Sequence, residues 1–248
     1  MSVLFFIYGL FIGSFLNVCI YRIPAGQSVI SPPSACGSCG HRLSYFDMLP
    51  VVNYVYYKGR CRYCTAHYSV QYPVTELSNG IIYCLMAVKY GFSVYAVFYC
   101  MLASLLIVAS TIDIKHMIIP DSVNIVGAII GAMLLIYERE TVLDKIFGLL
   151  TGFILFAMIA AFTGSMGGGD VKLMAVTGFI FGIKGVLFIT LVSFIIGAFV
   201  SLILICLNLI SRKSRIPFGP FISSAVLLYI FYGSELMAAY FNLLYGRF

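Results

Sequence analysis

The stretch Gly164-Ser-Met-Gly-Gly-Gly-Asp-Val-Lys172 lies between two long apolar runs, residues 146–163 and 173–210, of a 248-residue chain. Its three consecutive glycines place Asp170 at the end of an apolar run, and Asp113 stands at the end of another run much earlier in the chain. The chain has only nine acidic residues. Two of them at the ends of apolar runs are therefore not expected to be ordinary solvating charges, and the sequence predicts that they act together.

The composition is that of a membrane protein. Hydrophobic residues make up 62% of the chain and charged residues 10%, whereas soluble domains carry about 25% charged residues. The mean hydropathy is +1.04, and apolar runs of ~18 or more residues mark membrane helices. The net charge of +6 does not indicate nucleic-acid binding, because the basic residues stand beside apolar runs, as orientation signals do. The expected partner is the lipid bilayer, and no nucleic acid is expected.

The pattern of apolar runs predicts an all-α polytopic membrane protein with about eight transmembrane helices. Gly182, Lys184 and Gly185 are expected to divide the run 173–210 into two spans, because it is too long for one. Seven spans are the alternative, since the second and sixth predicted spans are short. The predicted spans are residues 1–21, 77–90, 94–112, 121–137, 146–163, the two parts of 173–210, and 218–232.

The basic residues predict which loops face the cytoplasm. Between the first and second spans, residues 23 to about 75 carry four bases against Asp47, and Arg212, Lys213 and Arg215 follow the run 173–210. The positive-inside tendency places both segments in the cytoplasm, with both chain termini outside and the mixed-charge loop 138–145 outside. The bases of the first loop are Arg42, Lys58, Arg60 and Arg62.

Three regions follow from this topology. Residues 1–22 form the first transmembrane helix, residues 23–76 a cytoplasmic loop, and residues 77–248 the remaining transmembrane domain. In the first helix Gly9, Gly13 and Ser14 form a small-residue face suited to close helix packing. Asn17 is expected to make an interhelical hydrogen bond.

The predicted topology puts Asp113 and Asp170 on the same, cytoplasmic side. Two carboxylates brought close cannot both ionise cheaply, so they hold one proton between them. One then acts as general base on a water molecule and the other as general acid at a scissile carbonyl, which is the chemistry of an aspartyl peptidase. Gly167, Gly168 and Gly169 allow unusual backbone angles and the close approach of an extended substrate. Lys172 is expected to contact a lipid phosphate or a loop.

Simpler roles for the same acids remain open. Asp170 fits an N-cap for a helix that starts at Val171. Asp113 fits a loop charge neutralised by Lys115. Asp121, after Pro120, is expected to cap the helix that starts there, although it lies close enough in sequence to compete for the catalytic role.

Four of the eight cysteines form two C-x-x-C pairs. Cys36-Gly-Ser-Cys39 and Cys61-Arg-Tyr-Cys64 match the four-thiolate zinc pattern. A cytoplasmic position favours metal over disulfides, and four thiolates leave no open coordination position, so the zinc is expected to be structural. His41 and His67 are close enough in sequence to replace a ligand. Redox chemistry and a disulfide are the alternatives.

With both sets of motifs in view, the chain resembles the bacterial type IV prepilin peptidases, a family of membrane aspartyl proteases with a Gly-x-Gly-Asp motif. The resemblance covers nearly the whole length. It is carried by Gly13-Ser-Phe-Leu-Asn-Val18, Tyr21-Arg-Ile-Pro24, Ser31-Pro-Pro-Ser34, the two cysteine pairs, Asp47-Met-Leu-Pro50, Gly59-Arg-Cys-Arg, Tyr72-Pro-x-x-Glu76, Asp113 with Ile119-Pro-Asp121, and Gly167-Gly-Gly-Asp-Val-Lys-Leu173.

The resemblance implies a bifunctional enzyme of the bacterial cytoplasmic (inner) membrane. Such enzymes cut the leader peptides of prepilins and pseudopilins after a glycine, and then N-methylate the new terminus with S-adenosylmethionine. The family's catalytic aspartates correspond to Asp113 and Asp170, and its zinc ligands to Cys36, Cys39, Cys61 and Cys64.

The methyltransferase half is implied by the resemblance alone. Residues 17–76 are its expected host, the residues that bind S-adenosylmethionine are not identified, and Glu76 is either functional or a helix-end charge. Three other classes fit parts of the sequence: a transporter, because intramembrane acids often mark ion pathways; a membrane thiol oxidoreductase; and a scaffold built around a structural zinc loop.

Overall fold

The computed structural model describes residues 1–44, 46–138, 141–164, 166–211 and 214–245 of the chain. Within these ranges the secondary structure is helical, with two isolated β-bridges and no strand. The predicted all-α class is confirmed. The helices are α1 (Ser2–Arg22), α2 (Val52–Tyr56), α3 (Gln71–Tyr90), α4 (Val94–His116), α5 (Asp121–Tyr137), α6 (Val142–Thr163), α7 (Gly168–Cys206) and α8 (Gly219–Tyr245), with a 3₁₀ turn at Phe46–Met48.

Among the described residues, five helices are long and apolar enough to cross a membrane: α1, α4, α6, α7 and α8. The shorter α5 is also apolar, at 17 residues. α3 has 20 residues and carries Glu76 and Lys89. The chain is therefore a multi-pass membrane protein, while the count of eight spans stays a prediction.

α3 begins earlier than its apolar run suggested. The run starts at Leu77, but the helix starts at Gln71 and includes Pro73 in its first turn. Proline is tolerated there because the first N–H groups of a helix have no partner within the helix. The second predicted span is thus a helix of ordinary length.

The helix over the run 173–210 is interrupted at Gly182, as predicted, while its division into two spans stays a prediction. α7 consists of two helical parts joined by a kink at Gly182, where φ is 71° and ψ is −173°. This non-helical conformation favours glycine. The N–H of Ile183, which opens the second half of the helix, donates to Oδ1 of Asp144 at 3.3 Å. The Asp144 carboxylate also occupies the space where a side chain at position 182 would stand. The break in α7 is therefore capped by the first turn of α6.

The prediction that Asp121 caps α5 is wrong. Pro120 is the N-cap, Asp121 is the first helical residue, and no side chain caps this end. Instead Asp121 Oδ1 accepts a hydrogen bond from Lys172 Nζ at 2.6 Å, between two exposed side chains. Lys172 thus contacts the start of α5, which agrees with the expected loop contact.

The chain divides into two compact units, residues 1–108 and 109–248. In the first unit α1 packs closely against α3. A Cβ atom added at Gly9 would lie 2.7 Å from Cα of Gly80, and one added at Gly13 would lie 2.7 Å from Cα of Glu76. These separations are below van der Waals contact, so the two helices meet only because α1 has glycine there. The predicted small-residue face is confirmed at both glycines.

Buried polar side chains fasten the same unit. Asn17 Nδ2 donates to the carbonyl oxygen of Tyr72 at 3.1 Å, which confirms the expected hydrogen bond between α1 and α3. Asn79 Nδ2 donates to the Gly9 carbonyl at 2.7 Å, and Asn79 Oδ1 accepts from the Ser104 hydroxyl at 2.9 Å. Inside a membrane no water is available to bind these polar groups, so hydrogen bonds between the helices satisfy them instead.

In the second unit the first half of α7 packs between α5 and α6. Gly148 of α6 meets Gly178 of α7 backbone to backbone, and Gly152 of α6 meets the carbonyl of Met174. On the other side, a Cβ added at Gly131 of α5 would lie 2.6 Å from the ring of Phe179. These close approaches fix the start of α7, where Asp170 stands.

Some predicted loop charges lie outside the described residues. They are Arg139 and Glu140 of the loop after α5, the bases Arg212 and Lys213, and Arg247 near the C-terminus.

Candidate active site and metal centre

Asp113 lies in the last turn of α4 and is buried. Its Oδ2 accepts a hydrogen bond from the backbone N–H of Gly219, the first residue of α8, at 2.8 Å. The first N–H groups of a helix are unsatisfied and carry partial positive charge, so α8 both holds and stabilises this carboxylate. The alternative is that Asp113 is a loop charge neutralised by Lys115. A buried carboxylate that accepts a backbone hydrogen bond does not fit that alternative.

Asp170 is the third residue of α7, because the helix begins at Gly168 and not at Val171. Its Oδ2 accepts the N–H of Gly167, the N-cap residue, at 3.2 Å. In a capping box, the acidic side chain at the third helical position accepts the N–H of the N-cap residue. Asp170 makes this bond, so it does help to cap α7, but from the third position of the helix and not as the N-cap residue. The other oxygen, Oδ1, is buried without a hydrogen-bond partner among the described residues. A buried carboxylate oxygen left without a donor is costly unless a water or ligand satisfies it.

Asp113 and Asp170 line one cavity of about 170 Å³. This volume is well above the ~10–15 Å³ that one water needs on the same measure. The two acids come from opposite ends of their helices, and the cavity brings them together with the turn between α4 and α5. The remaining lining residues are Met117, Ile118, Ile119, Gly167, Gly168 and Gly169.

The glycines of this cavity differ in what surrounds them. A Cβ added at Gly169 would lie 2.9 Å from Ile119 Cβ, 3.1 Å from its carbonyl oxygen and 3.2 Å from its nitrogen. A Cβ added at Gly168 would meet nothing within 4 Å. Gly169 therefore lets the start of α7 pack on the α4–α5 turn, whereas Gly168 faces open space.

The α4–α5 turn contains a strained residue. Met117 has φ of 54°, and its N–H donates to the carbonyl oxygen of Asp113 at 2.8 Å. This left-handed residue ends α4 as glycine usually does, at a cost of roughly 1–2 kcal/mol for a side-chain-bearing residue. It turns the chain back so that Ile118 and Ile119 line the cavity beside Asp113.

Gly219 is a site residue that the sequence reasoning missed. A Cβ at this position would lie 2.8 Å from Oδ2 of Asp113, so only glycine lets the helix end approach the carboxylate this closely. The signal in the sequence was Pro217-Phe-Gly-Pro220, a glycine between two prolines at the start of an apolar run. The group that Gly219 approaches, the Asp113 carboxylate, lies 106 residues earlier in the chain. The local pattern could not identify it.

The second site consists of two matching turns, one for each cysteine pair. The N–H of Cys36 donates to the carbonyl of His41 at 2.9 Å, and the N–H of Cys61 donates to the carbonyl of Ala66 at 2.8 Å. Each pair is also flanked by an antiparallel bridge, Ala35–Arg42 and Arg60–His67. The left-handed position after each pair is Gly40, with φ of 70°, in one turn and Thr65, with φ of 58°, in the other. The two cysteine turns thus share the same hydrogen bond, the same flanking bridge and the same left-handed position.

The four sulfur atoms of Cys36, Cys39, Cys61 and Cys64 all lie within 4.8 Å of one another. The Sγ atoms of Cys36 and Cys64 are 3.8 Å apart, which is about the edge of a tetrahedron with Zn–S bonds of ~2.3 Å and far longer than a disulfide bond of ~2.05 Å. His41 and His67 do not belong to this cluster. The donor set and its spacing therefore fit a tetrahedral, soft-ligand metal such as zinc.

Backbone donors favour the thiolate form of two of these cysteines. The N–H groups of Cys64 and Tyr63 lower the pKa of Cys61 to about 6, and those of Cys39 and Ser38 lower the pKa of Cys36. Only the thiolate binds metal. The loop thus favours the thiolate at Cys61 and Cys36, whereas burial and the neighbouring cysteines raise the pKa of Cys64 to about 12.

Glu76 is buried in α3, and it is not an exposed helix-end charge. Its Oε2 accepts the N–H of Val51 at 2.8 Å, and Val51 has φ of 61°. The carboxylate therefore fastens the segment before α2 to the α1–α3 pair.

The chain is similar to known proteins over most of its length. Residues 7–90 match the Bacterial Peptidase A24 N-terminal domain, and residues 100–202 match the Type IV leader peptidase family. The chain is 31% identical, over 97% of its length and 98% of the relative's, to the prepilin leader peptidase/N-methyltransferase of Bacillus subtilis. It is 30% identical over 95% of its length to the protein of that name from Pseudomonas putida, of which it covers 92%. No solved structure matches the chain.

Proposed function

Because this chain belongs to the type IV leader peptidase family and is a membrane peptidase, we propose that it removes the leader peptides of type IV prepilins and pseudopilins with Asp113 and Asp170 as its catalytic pair. One observation carries the proposal: these two buried acids, remote in sequence, line the same cavity. The relatives named above carry the substrate class in their names.

The chemistry requires one proton shared by the two carboxylates. The ionised member takes a proton from a water molecule in the cavity, and the water oxygen attacks the scissile carbonyl carbon. The protonated member gives its proton to the developing oxyanion, and later transfer to the amide nitrogen breaks the C–N bond. Since each carboxylate has one oxygen anchored by a backbone N–H, the geometry is set before substrate binds.

The chain's other cavity residues position the substrate. The segment Gly167–Gly169 has no side chains, so the backbone of an extended leader peptide can approach Asp170 closely. Met117, Ile118 and Ile119 form an apolar side of the same cavity, which suits the apolar helix that follows a prepilin leader. We expect that helix to enter from the bilayer while the charged leader stays in the cytosol.

The four-cysteine loop is proposed to hold one structural zinc ion. Cys36, Cys39, Cys61 and Cys64 would fill all four positions, so the metal supplies folding energy to a small loop and no catalytic water. The Tyr68 side chain helps to lower the pKa of the Cys61 thiol, and groups around a metal ligand tune that ligand.

N-methylation of the new terminus with S-adenosylmethionine is the second proposed activity. It is supported by the names of the relatives and by the match of residues 7–90 to the family's N-terminal domain. We assign no residue of this chain to the methyl donor. The boundaries 1–22, 23–76 and 77–248 for the first helix, the zinc loop and the peptidase domain belong to the same proposal.

We further propose eight spans in the cytoplasmic (inner) membrane, with both termini outside and the peptidase site and zinc loop at the cytoplasmic face. α7 supplies two spans because Gly182 interrupts it, and α1, α3, α4, α5, α6 and α8 supply one each. The bases of the loop 23–76 support the orientation.

The test is to mix purified enzyme in lipid nanodiscs with a synthetic prepilin segment and S-adenosylmethionine, and to analyse the products by mass spectrometry. We expect cleavage after the glycine of the leader without the methyl donor, and one added methyl group on the new terminus only with it. An intact peptide after incubation with folded, zinc-loaded enzyme would overturn the peptidase assignment. Cleavage without methylation would remove only the second activity.

A further inference from the structure

The short helix α2 (Val52–Tyr56) carries an apolar face that is exposed in the part of the chain that the structure describes. Val52, Val55 and Tyr56 are 60%, 68% and 76% exposed, and no residue of α2 is buried. At helical spacing these three side chains fall within about 100° of arc, so they form one continuous face. Exposed apolar residues gathered on one side of an element mark a contact with another apolar phase.

The opposite side of this segment packs against its own loop. A Cβ added at Gly59 would lie 2.9 Å from the ring of Tyr54, so the Tyr54 ring covers the turn that leads to the second cysteine pair. The helix thus has a side used for folding and a side that is not. The uncovered face is therefore fixed in direction by the loop to which it belongs.

A partly buried hydrogen bond ties the start of α2 to the membrane helices. Val51, its N-cap, donates to Glu76 of α3 at 2.8 Å, and Glu76 lies against Gly13 of α1. Gly13 is nine residues before Arg22, the last residue of α1, which is about 13 Å along a helix rising ~1.5 Å per residue. The start of α2 is thus tied, through the Glu76 side chain, to a residue that packs against α1 inside the end of that helix.

The residues that follow α2 are those of a membrane boundary. Tyr57 and then Lys58, Arg60 and Arg62 come directly after the apolar face, and Lys58, Arg60 and Arg62 are exposed. Tyrosine is enriched at the level of the lipid headgroups, and basic side chains are attracted to anionic headgroups.

We propose that α2 lies in the membrane–water interface and inserts its Val52, Val55 and Tyr56 face among the lipids of the cytoplasmic leaflet. The occupant of this face is the bilayer, because the helix is tied to the membrane helix α3 through Glu76 and is followed directly by the exposed bases Lys58, Arg60 and Arg62, which suit anionic lipid headgroups. Helices lying in the interface bury their apolar face about 5–10 Å into the headgroup and acyl boundary. The contact holds the four-cysteine loop against the membrane, and it does not depend on the proposed peptidase chemistry.

The chain has no tryptophan, so a single introduced tryptophan reports its own surroundings. Val55→Trp and, separately, the aromatic replacement Tyr56→Trp are made in enzyme reconstituted into vesicles. Phe15→Trp on the exposed side of the transmembrane helix α1 is the lipid reference. Tyr63→Trp, exposed between the second pair of cysteines, is the reference away from α2. Emission is quenched with lipids brominated near the headgroup and, in parallel, with aqueous iodide.

The proposal predicts that Val55→Trp and Tyr56→Trp are quenched by brominated lipid about as strongly as Phe15→Trp and only weakly by iodide. Tyr63→Trp should show the reverse. Strong iodide quenching at both α2 positions would place the face in water, and resistance to both quenchers would place it against protein; either result overturns the proposal. Zinc content measured on each variant identifies any that has lost the loop fold, and the two α2 variants are independent of each other.

Discussion

Alanine at Gly169 tests the close packing of α7 on the α4–α5 turn. The added methyl group would stand 2.9 Å from Ile119 Cβ and within 3.2 Å of two of its backbone atoms. A backbone neighbour cannot rotate away, so the start of α7 must move by several tenths of an ångström. Asp170 is the next residue, and its carboxylate moves with the helix.

Two magnitudes follow from this contact. Overpacking a well-packed site typically costs about 1–3 kcal/mol, partly offset by the gain of roughly 1 kcal/mol when alanine replaces glycine in a helix. The net loss of stability is thus about 0–2 kcal/mol. Because a displacement of ~1 Å at a reacting group can cost about 10²-fold in rate, we expect kcat for prepilin cleavage to fall about 10- to 100-fold.

Gly168→Ala is the matched control, since its methyl group meets nothing within 4 Å and its neighbour in sequence is the tested glycine. The assay compares initial cleavage rates at saturating substrate, and thermal unfolding followed by far-UV circular dichroism, for both variants in the same lipid. Gly168→Ala should unfold no earlier than the parent, whereas Gly169→Ala should unfold earlier than Gly168→Ala. Because both glycines line the cavity, this difference in unfolding isolates the packing contact, and equal unfolding temperatures for the two variants would refute the packing argument.

Three further outcomes are expected from substitutions elsewhere. Gly219→Ala places a methyl group 2.8 Å from the Asp113 carboxylate at a helix start that alanine otherwise favours, so kcat should fall about 10- to 100-fold without earlier unfolding; an unchanged kcat would contradict the anchoring role. Cys61→Ser should abolish stoichiometric zinc in elemental analysis, because it removes one of four ligands, whereas Cys206→Ser, outside the cluster, should keep it; zinc retained in Cys61→Ser would refute the four-thiolate site. Thr65 has a side chain in the left-handed region, so Thr65→Gly should remove backbone strain from the turn. Chelator competition should then show zinc binding tighter by about 0.5–1 kcal/mol, or two- to five-fold. Weaker binding would show that the turn is not strained.

Local features of this chain could be predicted from sequence because they depend on neighbours in the chain. The break at Gly182 and the glycine face at Gly9 and Gly13 follow from residue type and helical spacing. The clustering of the cysteines follows from a spacing that recurs in metal loops. In each case the physical constraint lies within a few residues of the signal.

What could not be predicted depends on contacts that the chain makes at long range. The Asp113–Gly219 hydrogen bond joins residues 106 positions apart, and no periodicity links them. The prediction that Asp121 caps α5 is wrong because its carboxylate binds Lys172, which lies in another helix. Glu76 illustrates the same limit: its sequence neighbours suggest a helix end, but the group it binds is the N–H of Val51, which lies 25 residues earlier, between the two cysteine pairs.

The central claim is that Asp113 and Asp170 act as one catalytic unit, and the most direct measurement is the single-turnover cleavage rate of the two single variants, the double variant and one control. Removal of a general acid or base costs about 10²–10⁴-fold, so Asp113→Asn and Asp170→Asn should each lose at least about 10²-fold, and the double variant should be little slower than either, as for groups that act together. Asp121→Asn, at an exposed ion pair, should stay within about two-fold of the parent rate. Cleavage by folded Asp113→Asn or Asp170→Asn at a rate near that of Asp121→Asn would contradict the claim.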